Sequence, residues 1–160
     1  VLDLGCGCGV LGILAARTAQ RVVALDVNPR AVAFTRFNAE LNDCHNLDAA
    51  TGDLYAPVAG QRFDLIVCNA PYAVSPTSTY LYRDGGTDFC ERLSRATPAM
   101  LADNGLALLA LNWPARAGER WQARLAGWFA GGGCDLWLLS SEHYAPEDYA
   151  RIWLHQQHGE

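Results

Sequence analysis

The chain has 160 residues, of which 51% are apolar and 18% charged, with a formal net charge of −5. That is enough chain for one domain with a real core, and the balance excludes a disordered or fibrous protein. No run approaches the roughly 20 apolar residues that span a bilayer, no signal peptide is visible, and the negative balance gives nucleic acid no overall electrostatic foothold.

All 12 basic residues are arginine, so no lysine is available as a Schiff-base nucleophile or general base. Cys6, Cys8, Cys44, Cys68, Cys90 and Cys134 form no CxxC pair and no regular framework. Reduced thiols and a cytoplasmic setting are expected. His155-x-x-His158 lacks a third ligand at useful spacing, so no metal site is expected.

The chain opens inside an apolar run, Val1-Leu2-Asp3-Leu4, which predicts a strand that has lost its start. Gly5-Cys6-Gly7-Cys8-Gly9 is the loop after it, and a helix begins at Val10 and runs to about Ala19. Strand, glycine-rich turn and helix make the first half of a βαβ unit. Arg21 to Asp26 is a second strand that ends in an acid. Asn28-Pro29 is a helix start, with Asn28 as N-cap and Pro29 at the first helical position. This helix is expected from Pro29 to about Leu41, with the apolar residues Val32, Ala33, Phe37 and Leu41 roughly on one face.

A turn over 42–46 leads to a short third strand over 47–50, then to the loop Thr51-Gly52-Asp53-Leu54-Tyr55. Phe63 to Cys68 reads as a buried fourth strand. Asn69-Ala70-Pro71-Tyr72 follows it, and the chain from Ala73 to Thr87 is long, irregular and polar. Loops of that length in compact domains are often functional. Asp88 to Leu101 is a helix with Thr87 as N-cap, Asp103-Asn104-Gly105 a turn, and Leu106 to Leu111 a fully buried fifth strand. Gly118 to about Phe129 is an amphipathic helix stacking Trp121, Leu125 and Trp128. Cys134 to Leu139 is a sixth strand, and Pro146 to Gln157 a last helix. The alternation argues for an α/β fold with a mostly parallel sheet and helices on both faces. The apolar start leads us to expect truncation at the N-terminus, and the lack of a further closing strand extends that expectation to the C-terminus.

Asp3-x-Gly5-x-Gly7-x-Gly9 with Asp26 carries the first chemistry. Glycines let backbone take positive φ and let a ligand approach without a Cβ in the way. The loop N–H groups and the helix N-terminus then face that ligand. A dinucleotide fingerprint needs G-x-G-x-x-G, and Val10 stands where its third glycine belongs. Asp26 suits the two hydroxyls of a ribose, because a carboxylate accepts both hydrogen bonds of a vicinal diol.

Val1 to Ala16 and Val22 to Asn28 resemble the first two motifs of class I S-adenosylmethionine-dependent methyltransferases. Gly52-Asp53-Leu54 is similar to their third, an acid facing the adenine amino group. Asn69-Ala70-Pro71-Tyr72 looks like the Asn-Pro-Pro-Tyr stretch of the branch that methylates planar nitrogens: glutamine amides of release factors, adenine N6 and guanine N2. The resemblance covers roughly residues 1 to 111. It implies a three-layer αβα Rossmann-like methyltransferase sheet and S-adenosylmethionine as cofactor. One catalytic domain over residues 1–160, part of a longer protein, is then expected. Donor-binding residues would be Asp3, Gly5, Gly7, Gly9, Asp26, Asn28, Asp53, Leu54 and Asn69.

An amide nitrogen is a poor nucleophile because its lone pair is delocalised. Acceptors on its N–H groups, the Asn69 side-chain oxygen and the Ala70 carbonyl, would turn that lone pair towards the methyl carbon and stabilise the positive charge that develops. Pro71 would stiffen the turn and Tyr72 would offer a flat face for stacking. Ala70 departs from the branch pattern, which has proline there; the main-chain carbonyl survives the change, but local rigidity is in question.

Asp84-Gly85-Gly86-Thr87-Asp88-Phe89 is similar to the Gly-Gly-x-Asp-Gly stretch of release-factor glutamine methyltransferases, with Phe89 in place of the last glycine. It tilts the expected acceptor towards a protein glutamine. Ribosomal or transfer RNA and a non-catalytic donor-binding module are the alternatives. Trp113, Trp121, Trp128, Trp137 and Trp153 could stack on bases, although helical spacing makes Trp121 and Trp128 core residues.

Overall fold

The computed structural model describes residues 1–70, 73–74, 83–84, 88–113, 118–139, 144–145, 147–149 and 151. In chain order the elements are β1 (Leu2–Leu4), α1 (Val10–Ala16), β2 (Val22–Asp26), α2 (Pro29–Leu41), β3 (Leu47–Thr51), a 3-10 turn (Ala56–Val58), β4 (Phe63–Asn69), β5 (Ala73–Val74), β6 (Arg83–Asp84), α3 (Phe89–Met100), β7 (Leu101–Ala110) and α4 (Trp121–Phe129). Five strands form one parallel sheet in the order β3-β2-β1-β4-β7. The expected α/β, Rossmann-like fold is therefore present. β5 and β6 pair in parallel as a separate short ladder.

The central strands are apolar on both faces because helices cover both. Leu2, Leu4, Val23, Leu25, Ile66 and Cys68 pack towards Cys90, Leu93 and Met100 of α3 and Leu125 and Trp128 of α4. On the opposite face Ala24 and Ala49 pack with Cys6 and with Val32 of α2. Strand order reverses between β1 and its two neighbours, which opens a crevice at the carboxyl ends of β1 and β4. The glycine loop and Asn69 both leave the sheet there.

Asn28 caps α2 as expected: its side chain accepts the Arg30 N–H at 3.0 Å, and Pro29 opens the helix. The buried face of α2 does not coincide with the row of apolar residues. Val32, Thr35 and Ala39 point inward, whereas Ala33, Phe37 and Leu41 are exposed. A polar Thr35 sits at the centre of the inner face because it bonds the glycine loop, as described below. α1 stops at Ala16 rather than near Ala19, since Asn46 takes over the carbonyls of Ala16 and Ala19 at 2.9 and 2.8 Å.

The fifth sheet strand is not fully buried. Among the described residues β7 is the outermost strand, and α1 and α2 lie against β1 to β3, so Leu106 and Leu108 face outward at 57% and 50% exposure. The expected turn at Asp103-Asn104-Gly105 is a bulge inside β7. The register moves from Phe63↔Leu101 to Leu65↔Leu106, and Asn104 adopts φ 62°, which asparagine tolerates.

Residues 134–139 form no strand. This run pairs with no strand among the described residues, and Trp137 and Leu139 are largely exposed. Asp88, not Thr87, holds the N-cap position of α3 and makes no side-chain cap bond; Thr87 lies outside the described residues. Of the last expected helix, residues 147–149 and 151 are helical, and the remainder, with Trp153, His155 and His158, lies outside.

Candidate active site

Asp3 stands in the middle of β1 and is almost completely buried. Its Oδ2 accepts the Gly12 N–H at 2.7 Å, which pins the first turn of α1 to the sheet. A Cβ on Gly12 would come within 3.0 Å of that same oxygen, so α1 can approach this closely only through a glycine. Burial pushes the Asp3 carboxyl up to about 6; the Gly12 N–H opposes this, and the Asp26 charge adds to it.

The loop over 5–9 is held from three sides. The Gly5 and Cys6 N–H groups both donate to the Leu25 carbonyl, at 2.8 and 3.0 Å. Asp26 accepts the Gly7 N–H at its Oδ2 (2.9 Å) and the Asn28 N–H at its Oδ1 (2.8 Å). Each oxygen retains a second lone-pair direction for a ribose hydroxyl.

From α2, the Thr35 hydroxyl lies 3.1 Å from the Gly7 carbonyl and 3.2 Å from Cys6 Sγ, and the Asn38 amide donates to the Cys8 carbonyl at 2.8 Å. Gly9 has φ 89°, and a Cβ there would lie 2.9 Å from the Thr35 methyl. Glycine is required at 9 on both counts. Burial raises the Cys6 thiol to about 12, so it is inert. Sequence reasoning missed Gly12, Thr35 and Asn38. The available signal was Thr35, a polar residue interrupting the apolar spacing of Val32 and Ala39.

Asp53 and Leu54 follow β3 beside this loop. The Gly52 N–H donates to the Asp26 main-chain carbonyl at 2.9 Å, which draws the segment to the same end of the sheet. Leu54 has φ 46°, a conformation non-glycine residues adopt at a cost and often near functional sites. Asp53 Oδ2 pairs with the guanidinium of Arg92 on α3.

Leu4 is opposite Cys68 in the β1–β4 ladder, so Gly5 and Asn69 are the next residues in register, side by side at the switch point. Asn69 is exposed, whereas Ala70 is buried and its N–H donates to the Ala110 carbonyl at 3.1 Å. Proline has no N–H and cannot make this bond. Ala70 thus prolongs the β4–β7 ladder by one bond, and that bond limits the turn in place of a ring. Pro71, Tyr72, Gly85, Gly86 and Thr87 lie outside the described residues. No group of three or more His, Cys, Asp or Glu able to hold a metal occurs among the described residues. No helix there is long and apolar enough to cross a membrane.

Val10, the residue that breaks the dinucleotide pattern, begins α1 with its side chain 65% exposed. A glycine loop of this spacing at the switch point, between a buried acid on β1 and an acid ending β2, defines a class I methyltransferase domain, whose cofactor is S-adenosylmethionine. A family model described as the methyltransferase small domain matches residues 1–117, and the chain belongs to that family.

The chain is 29% identical over 142 residues to a release factor glutamine methyltransferase of Xylella fastidiosa, covering 79% of this chain and 52% of the relative. It is 31% identical over 112 residues to a ribosomal RNA small subunit methyltransferase C of Alcanivorax borkumensis, covering 70% and 32%. It therefore spans about half or less of these relatives' length. Among solved structures, a ribosomal protein L11 methylase of Lactobacillus delbrueckii matches with a TM-score of 0.60 at 20% identity, over 88% of this chain and 64% of the other, a likeness of fold.

Proposed function

We propose that this domain transfers a methyl group from S-adenosylmethionine to a planar nitrogen, and that the acceptor is a glutamine side-chain amide of a protein. The observation that carries the proposal is the register that sets Asn69 beside Gly5 at the switch point. An acceptor for the substrate N–H groups and the backbone loop that would receive the donor thus share one crevice.

The residues divide the work. Gly5 and Gly7 keep the loop free of Cβ atoms where the donor would lie, Gly9 lets the loop close against Thr35 of α2, and Asp3 fixes α1 beneath it. Asp26 takes the ribose hydroxyls with its remaining lone pairs, and Asn28 holds Asp26 in place through its N–H. Asp53 accepts from the adenine amino group, with Leu54 against the ring. S-adenosylmethionine supplies an electrophilic methyl carbon on a sulfonium. Asn69 Oδ1 and the Ala70 carbonyl accept from the substrate amide, aim its nitrogen and stabilise the charge it gains. On the resemblance to the Asn-Pro-Pro-Tyr branch, Tyr72 after Pro71 would supply a face for stacking.

The glutamine reading is supported by the Xylella relative, by the Gly85-Gly86 resemblance and by a net charge of −5. The second reading, a base of ribosomal RNA, is favoured by the similarity to the Alcanivorax enzyme. The two separate by mass spectrometry of methylated proteins and RNAs from cells with and without the gene.

The site itself is tested with Asn69→Ala. Calorimetry should show donor binding weakened only modestly, since Asn69 is one of several donor contacts, while methyl transfer falls about a hundredfold or more, as when one preorganised transition-state partner is removed. Full activity in this variant would sink the mechanism.

A further inference from the structure

We infer that Arg92 is a positioning residue for the adenine-binding acid, and that through it α3 sets the enzyme's preference for a donor base carrying an exocyclic amino group. This rests on the reading of Asp53 given above. The Arg92 guanidinium pairs with Asp53 Oδ2 across the gap between α3 and the β3–β4 connection. Asp53 Oδ1 takes no partner among the described residues, and the carboxylate is 56% exposed.

A carboxylate on an exposed loop turns freely about its last torsion. A guanidinium bonded to one oxygen removes that freedom and leaves the other oxygen as the acceptor. The loop around it is itself fixed. Leu54 is held at φ 46°, and the buried Tyr55 hydroxyl bonds Thr97 on the same helix at 2.6 Å. Arg92 and Thr97 therefore anchor one short segment to α3 at two points, the first on the acid and the second in the core.

The test is equilibrium binding of S-adenosylhomocysteine and of its analogue with unsubstituted purine in place of adenine. Both are titrated calorimetrically into the intact wild-type protein and into Arg92→Ala, Arg92→Lys and Asp53→Ala. The inference predicts that Arg92→Ala weakens the adenine ligand about two- to threefold, the most that an ion pair this exposed returns by placing Asp53. It predicts no change for the purine ligand and partial recovery in Arg92→Lys. Equal weakening for both ligands would mean that Arg92 only places α3, and would overturn it. If Asp53→Ala abolishes the preference while Arg92→Ala keeps it, the role of Asp53 stands and that of Arg92 falls. If both variants keep the preference, the reading of Asp53 fails and the inference with it. Should Arg92→Ala not fold, Arg92→Lys and Arg92→Gln carry the same comparison.

Discussion

At the scale of single residues, the buried Asp3 shows a cost accepted for position. Its carboxylate holds α1 through Gly12 but lies in the core with its pKa raised to about 6. A folded-state value above the unfolded one means that the folded chain binds the proton more tightly. Stability from this group is then fully present below the ordinary carboxylate range and is lost as pH rises through about 6. Asp3→Asn keeps an oxygen for the Gly12 N–H without the buried charge. Its stability relative to wild type should thus be more favourable at pH 8 than at pH 5, by about 1–2 kcal/mol. Urea unfolding at the two pH values measures this, and an unchanged difference would show that Asp3 is not ionised where the argument needs it. Ala70 makes the converse point. What looks in sequence like the loss of a stiffening proline is, in the fold, the gain of a bond to Ala110 that proline cannot form.

At the scale of elements, the sequence was clearest where local chemistry decides. Asn28 and Pro29 mark the start of α2 because capping depends on neighbours two residues away. Asn28→Ala should cost about 1 kcal/mol in urea unfolding, the usual worth of such a cap. It should also weaken donor binding if the Asn28 main chain shifts away from Asp26. An unchanged midpoint would mean that Pro29 alone fixes the helix start. The glycine loop and Asp26 were legible for the same reason, since spacing along one strand and one turn places them. Legibility ended where partners came from far along the chain. Apolarity alone made residues 134–139 and 106–111 look like buried strands. A strand, however, is defined by its neighbours, and among the described residues β7 is the outermost strand, with Leu106 and Leu108 exposed. Thr35 was hidden by the opposite fault: its hydroxyl serves the loop from α2, and helix periodicity expects an apolar residue there.

At the scale of the whole molecule, the crevice end of the sheet and the α3–α4 layer are joined through the β3–β4 connection by two bonds of different kinds. Tyr55 donates to Thr97, and Thr97 donates onward to the Leu93 carbonyl at 2.8 Å, all within the core. Burial pushes the Tyr55 phenol well above its ordinary range, so it stays a neutral donor. Arg92 and Asp53, by contrast, are 48% and 56% exposed. A buried neutral hydrogen bond contributes about 1 kcal/mol net, whereas an ion pair this open contributes about 0.5 kcal/mol or less once water and salt screen it. Stability and binding should therefore separate between the two ties. Tyr55→Phe is expected to lower the unfolding free energy by about 1 kcal/mol, with affinity for S-adenosylhomocysteine little changed. Thr97 would still donate to Leu93, so no buried donor is left unpaired. Arg92→Ala is expected to do the reverse, moving ligand affinity while leaving the urea midpoint nearly in place. Denaturation and calorimetry on the same two variants decide the matter. If Tyr55→Phe also reduced affinity as strongly as Arg92→Ala, the connection would be acting as one rigid unit, and Asp53 would owe its placement to the core rather than to its arginine.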